Sequence, residues 1–246
     1  MLEITSLHAG YGAVRVLQGV SLKVREGETV ALLGTNGNGK STLMKCVMGL
    51  VQASTGEIAL TIDGQRHVLN GMTPARIVEL GVALVPEGRR LFPRLSVQEN
   101  LLLGAYRPAA RANIDRNLAL CFEAFAVLKE RARQPAGSMS GGQQQMLAIA
   151  RAIMSSPRLL LVDEPSVGLS PALVKQTIDT IAQMKRQFGL TVLMAEQNFH
   201  EASRVADRGY VIVHGEIAFA GEDLQALRDS DLVRGTYLGT QHGSES

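Results

Sequence analysis

The chain has 246 residues, 46% of them hydrophobic and 20% charged, which excludes a disordered or fibrous protein and leaves room for one large core with an inserted subdomain. Its 25 Lys and Arg against 23 Asp and Glu give a formal charge of +2, too little for general attraction to nucleic acid or anionic lipid. Cys46 and Cys121 form no CxxC pattern, so the reading is free, reduced thiols rather than a disulfide framework or zinc site.

Met1-Leu2-Glu3-Ile4 opens without the basic and apolar regions of a signal peptide. No run approaches the roughly 18 apolar residues that a membrane helix needs. The expectation is a soluble or peripheral protein, which for a membrane task docks on the helices of another chain.

Strands are predicted at Leu2–Leu7, Val14–Val24, Thr29–Leu33 and Glu57–Ile62, punctuated by Gly10, Gly12, Gly27 and Gly56. Lys40–Leu50 has a helical pattern. Thr73 as N-cap with Pro74 at the first helical position opens a short helix to Leu80, ahead of the strand Val82–Val85. From Ser96 to Ser156 helical signals dominate, beginning with Ser96 and Glu99 at capping-box spacing. This region, taken as about 88–156, reads as an inserted helical subdomain. Alternation resumes with strand Leu159–Val162, a helix from Ser170-Pro171 to about Phe188, strand Thr191–Ala195, a helix through Ala206 and strand Tyr210–Val213. Such alternation predicts an α/β core around a largely parallel sheet, with ligands at the carboxyl ends of its strands. The expected domain is single, over 1–240, with Gln241–Ser246 as a frayed tail.

Gly34-Thr35-Asn36-Gly37-Asn38-Gly39-Lys40-Ser41 fits GxxxxGK[ST] between an apolar strand and a helix, the context in which that pattern binds phosphate rather than merely turning the chain. The glycines allow successive amides to converge on phosphate oxygens at a helix amino end. Lys40 then bridges the β and γ phosphates, Ser41 gives its hydroxyl to Mg²⁺, and Thr42 helps hold the α phosphate. This loop alone does not separate kinases, GTPases and motor ATPases.

Leu159-Leu160-Leu161-Val162-Asp163-Glu164 is an apolar strand ending in two carboxylates. Period-two alternation sends them to different faces. Asp163 suits Mg²⁺ through a water, and Glu164 suits polarisation of the water attacking the γ phosphate. The bland alternative is a solvated strand end.

Ser140 and Gln143 fit a capping box before the helical run Met146–Ala152. That box does not explain Gly141 and Gly142 in the first turn, each costing up to about 1 kcal/mol of helix propensity relative to Ala. Bare amides at a helix amino end are what an anion requires.

Met139-Ser140-Gly141-Gly142-Gln143, lying between the phosphate loop and the acidic strand, resembles the signature sequence of ATP-binding cassette proteins. The resemblance spans essentially the whole chain. It implies a P-loop NTPase cassette with a largely parallel core sheet, an N-terminal antiparallel β region and an inserted helical subdomain. It also implies ATP hydrolysis with Mg²⁺ in a dimer, where Ser140, Gly141, Gly142 and Gln143 of one subunit cap the γ phosphate on the other. Tyr11 falls where an aromatic ring stacks on adenine, and Ser166-Val167-Gly168-Leu169-Ser170 falls at the dimer-contact loop.

Two positions depart from the common family pattern. The loop after Val82–Val85 carries Glu87 where most cassettes carry a Gln, and a carboxylate remains a hard donor for Mg²⁺. Gln197 stands where most have a switch His; its amide donates a hydrogen bond to the γ phosphate without becoming a cation. Together with Val85–Phe92, Ala195–Asn198, Ala206–Tyr210 and Tyr237-Leu238-Gly239, they resemble the smaller ATPase subunit of branched-chain amino acid importers.

That resemblance implies a second ABC ATPase subunit, as a heterodimer or a homodimer, two integral membrane permeases and, indirectly, an extracytoplasmic solute-binding protein. The expected location is peripheral, at the cytoplasmic face of the inner membrane. Arg89, Arg90 and Arg94 fall near the permease-facing loop, with a solvated basic rim as the alternative. A urea importer is the near alternative function. A soluble cassette acting on ribosomes or DNA, and a weakly catalytic scaffold, are the distant ones.

Overall fold

The computed structural model describes residues 1–230 together with Val233 and Gly235. An antiparallel sheet in the order β2-β1-β4-β5 is built from β1 (Leu2–Tyr11), β2 (Val14–Val24), β4 (Ala53–Ile62) and β5 (Gln65–Val68). A second sheet has the order β10-β9-β3-β8-β7-β6. In it β6 (Val82–Val85), β7 (Leu159–Asp163), β8 (Thr191–Glu196), β3 (Thr29–Leu33) and β9 (Arg208–Val213) run parallel, and β10 (Glu216–Gly221) closes one edge antiparallel.

Side chains of β3 alternate between two cores, as strand geometry requires. Val30 and Leu32 join Leu2, Ile4, Leu17 and Met44 between the sheets, whereas Ala31 and Leu33 join Leu147, Leu160 and Ile178 beneath the helices. Burial on both faces explains why β3, β7 and β8 read as continuous apolar runs rather than as alternating ones.

Helices α1 (Lys40–Val47) and α2 (Pro74–Glu79) follow the first strands. The predicted helical region between β6 and β7 divides into α3 (Val97–Gly104), α4 (Pro108–Arg111), α5 (Ile114–Ala124), α6 (Ala126–Glu130) and α7 (Gly141–Ile153). Both capping boxes form: Glu99 accepts from the Ser96 amide at 2.7 Å, and Gln143 accepts from the Ser140 amide at 3.1 Å. Where α3 meets α7, a Cβ on Gly104 would stand 2.1 Å from the Arg151 carbonyl oxygen, so this crossing requires glycine. After β7 come α8 (Pro171–Phe188), α9 (Phe199–Ala202) and α10 (Leu224–Asp229).

Four boundaries differ from the sequence reading by more than two residues, and those of α2, β7, β8 and β9 by less. The first helix ends at Val47 instead of Leu50, because the chain turns through left-handed Gly49, whose amide bonds the Cys46 carbonyl. The helix expected through Ala206 stops at Ala202. β1 extends to Tyr11, and β4 begins at Ala53. The proposed end of the domain at 240, Tyr237-Leu238-Gly239 and the tail 241–246 lie outside the described residues. Among the described residues, no helix is long and apolar enough to cross a membrane.

Candidate functional site

The phosphate loop leaves β3 at Leu33 and enters α1 through Gly39, which caps the helix at φ 99° with no side-chain acceptor. Among the described residues no backbone or side-chain acceptor engages the amides of Gly39, Lys40, Ser41 or Thr42. Four converging N–H groups at a helix amino end form an anion-binding cradle. Asn38 shapes the loop beneath them: its amide donates to Thr35 Oγ1 at 2.7 Å, and its Oδ1 accepts from the His214 amide at 2.7 Å.

Lys40 is almost wholly buried, and its ammonium meets the carbonyls of Gly34 (2.7 Å) and Thr35 (3.0 Å) and the Glu164 carboxylate (2.9 Å). Three acceptors match the three donors of an ammonium. Beside it, Gly37, Lys40, Ser41, Thr42, Glu87 and Glu164 contribute to the lining of a cavity of about 490 Å³.

Asp163 and Glu164 are 6% and 7% exposed, which removes the reading of a solvated strand end. Their divergence has a different cause from the one expected. β7 ends at Asp163, and Glu164 takes a left-handed conformation at φ 47°, which costs a non-glycine residue about 1 to 2 kcal/mol. That turn sends Glu164 to Lys40, while Asp163 Oδ1 accepts from the Ser41 hydroxyl at 3.1 Å. Burial pushes the Asp163 carboxyl above the ordinary aspartate range; the Ser41 hydrogen bond opposes this, and the Glu164 and Glu87 carboxylates reinforce it.

Ser41, Asp163 and Glu87 line one adjoining cavity of about 440 Å³. A hydroxyl and two carboxylates are a hard-oxygen set suited to Mg²⁺, which keeps waters and takes its other ligands from nucleotide phosphates. Gln197 links both walls: its Nε2 donates to Glu164 Oε2 at 2.7 Å and to Asn36 Oδ1 at 2.8 Å. Tyr11, the last residue of β1, is 48% exposed, and its ring lies 5.9 Å from the Lys45 ammonium on α1.

Ser140–Gln143 line neither cavity. They cap α7 elsewhere on the chain, with Ser140 exposed. Gly142 has a packing reason that sequence reasoning missed, because a Cβ there would approach Leu173 of α8 to 2.7 Å. Arg89 also departs from a solvated rim: it is half-buried, with its guanidinium beside Gly141. Arg90 and Arg94 are exposed.

Arg151 of α7 binds the loop that follows Glu87. Its Nη2 donates to the carbonyls of Arg89 (3.3 Å) and Arg90 (2.8 Å), and its guanidinium lies 5.7 Å from the Phe92 ring. Next to this clamp a largely apolar groove of about 360 Å³ runs between core and helical insert, lined in part by Val78, Leu103, Tyr106 and Phe92.

An amide cradle with a buried lysine, a serine–aspartate pair and a second carboxylate at a strand end define a phosphate-loop nucleotide-binding ATPase. The ABC transporter family profile matches residues 17–167. The chain is 43% identical to the high-affinity branched-chain amino acid transport ATP-binding protein BraG of Pseudomonas aeruginosa, over 97% of this chain and 100% of that one. It is 34% identical to the probable branched-chain amino acid transport ATP-binding protein LivF of Archaeoglobus fulgidus, over 90% and 92%. A solved ATP-binding subunit of an ABC transporter superposes with a TM-score of 0.77 at 30% identity, covering 97% of this chain and 96% of that one. A bacterial ABC transporter cassette solved as a dimer gives 0.76 at 26% identity, covering 91% and 99%. The chain belongs to the ABC transporter ATP-binding proteins and is an ATPase of that family.

Proposed function

We propose that this chain is one of two ATPase subunits of a branched-chain amino acid importer. It pairs with a second cassette at the cytoplasmic face of the inner membrane, beneath two permeases fed by an extracytoplasmic binding protein. The observation that carries this reading is the 43% identity to BraG across nearly the whole of both chains. Glu87 at the cavity wall and Gln197 between Glu164 and Asn36 support the same branch.

In the proposed cycle the amides of Gly39–Thr42 and the Lys40 ammonium bind the phosphates, and Tyr11 stacks on the adenine. Ser41, Asp163 and Glu87 hold Mg²⁺, which neutralises phosphate charge when bound. Phosphate draws Lys40 away from Glu164, freeing that carboxylate to accept a proton from the attacking water. Gln197 orients Glu164 through its amide. Ser140–Gln143, which line neither cavity, serve the partner's nucleotide, so closure of the pair completes both sites. The groove beside Arg151 receives a cytoplasmic segment of the permease, with the clamp carrying its movement to α7.

Isolation of the chain from membranes in mild detergent tests this reading. A second ATPase and two permeases accompanying it support the importer, and ribosomal proteins or DNA in their place overturn it. Leucine, isoleucine and valine binding by the associated extracytoplasmic protein tests the solute.

A further inference from the structure

One buried acid is left unused by this scheme. Glu196, the last residue of β8, is 0% exposed. Among the described residues no Lys, Arg or His forms an ion pair with it. Its carboxylate is held instead by the Ser166 amide at 3.1 Å, the Ser166 hydroxyl at 2.8 Å and the Gln197 amide at 3.1 Å. A carboxylate buried with no counter-cation costs stability compared with an apolar residue of the same size. Packing alone does not explain an acid here, at the end of a strand whose other five residues are also buried.

The placement of its three donors does. Gln197 contacts Glu164 and Asn36 in the chain's own site. Ser166 begins the exposed turn Ser166–Ser170 that leads into α8, and Val167 there is 43% exposed. The two oxygens of Glu196 therefore join the backbone of Gln197, whose side chain bonds Glu164 and Asn36, to a loop that faces outward. Ser166 is also only two residues from Glu164, whose left-handed turn fixes where the loop begins.

We propose that Glu196 is a positioning residue coupling the two ATP sites of a cassette pair: it locks Gln197 on one nucleotide to Ser166 on the loop facing the other cassette. The proposal rests on the paired-site reading above. Movement of Gln197 upon nucleotide binding displaces the Glu196 carboxylate, and its two bonds to Ser166 transmit that displacement to the interface. Because Glu196 touches no nucleotide, its loss alters communication between the sites rather than affinity for ATP.

The test uses the complex isolated from membranes with this chain as parent, Glu196→Gln or Ser166→Ala. Glu196→Gln sets an NH₂ group against the Gln197 amide or Ser166, and Ser166→Ala removes the hydroxyl bond from the other end without altering the acid. ATP affinity, turnover against ATP concentration and thermal unfolding are measured for each. The expected result is ATP affinity within about two-fold of parent, turnover reduced about ten-fold, and a Hill coefficient that falls toward 1 in both variants. Unchanged turnover and cooperativity in both variants overturn the coupling, as does loss of ATP affinity in step with turnover. The paired-site reading is checked separately with Glu164→Gln, which should retain occluded ATP through gel filtration. If it occludes none, the paired sites and the coupling built on them fall together. If it occludes ATP while the Glu196 and Ser166 variants behave like parent, only the coupling fails.

Discussion

The Lys40 ammonium lies 2.9 Å from a Glu164 carboxylate oxygen, with 3% and 6% of the two side chains exposed. The residue proposed to grip phosphate and the residue proposed to polarise water thus hold one another.

Removing one partner of this pair leaves a buried charge. Lys40→Met should destabilise the protein by about 3 to 5 kcal/mol and abolish ATP binding. Lys40→Met combined with Glu164→Gln should recover most of the stability without recovering activity. Urea denaturation of the three proteins checks this; a double variant no more stable than Lys40→Met contradicts the pairing.

The close crossing of α3 and α7 makes Gly104 intolerant of a side chain. Gly104→Ala should cost about 1 to 3 kcal/mol despite the helix propensity that alanine brings, since its Cβ meets the Arg151 carbonyl at 2.1 Å. Arg151 also clamps the Arg89–Phe92 loop, so turnover in the assembled complex should fall more than ATP affinity. Denaturation and ATP titration separate the two effects.

Gln197 donates to Glu164 and Asn36 and carries no charge that pH can change. Gln197→Ala should lower kcat about ten- to a hundred-fold with little change in the KM for ATP. Gln197→His should introduce a pH dependence of kcat near neutrality, absent from the parent. Steady-state kinetics from pH 6 to 8, roughly one unit either side of neutral, read both outcomes.

Burial pushes the Cys46 thiol up to about 11 and the Cys121 thiol up to about 12, from an ordinary 9.0. A folded-state value above the unfolded one means that the stability contribution is full below pH 9.0 and is lost as pH rises through the folded values. Neither thiol should react with a thiol reagent at about pH 8 until the chain unfolds. Alkaline titration of stability should begin to fall above about pH 9. A rapidly labelled native thiol contradicts this.

Much of the site was legible because its chemistry is local in sequence. Gly34–Ser41 must curl where it stands, Ser96 and Ser140 announce their caps three residues ahead, and Asp163-Glu164 closes an unmistakable apolar strand. What escaped depends on approach from elsewhere in the fold. Gly142 is small because Leu173 of α8 crosses it, and Arg89 sits by Gly141 because Arg151 holds its loop. The edge strands β5 and β10 also escaped: with one side open to water, Gln65–Val68 carries no apolar run and Glu216–Gly221 only a short one. Glu196 did leave a signal, an ionisable residue ending a wholly buried strand, but its partner Ser166 becomes visible only when β7 and β8 lie side by side.

The central claim is that Glu164 performs the proton transfer of ATP hydrolysis in a site otherwise built to hold nucleotide. The direct measurement is the turnover of the membrane-isolated complex bearing Glu164→Gln, alongside its ATP affinity. Turnover lowered by about 100-fold or more with ATP still bound is the predicted result; hydrolysis at the parent rate contradicts it.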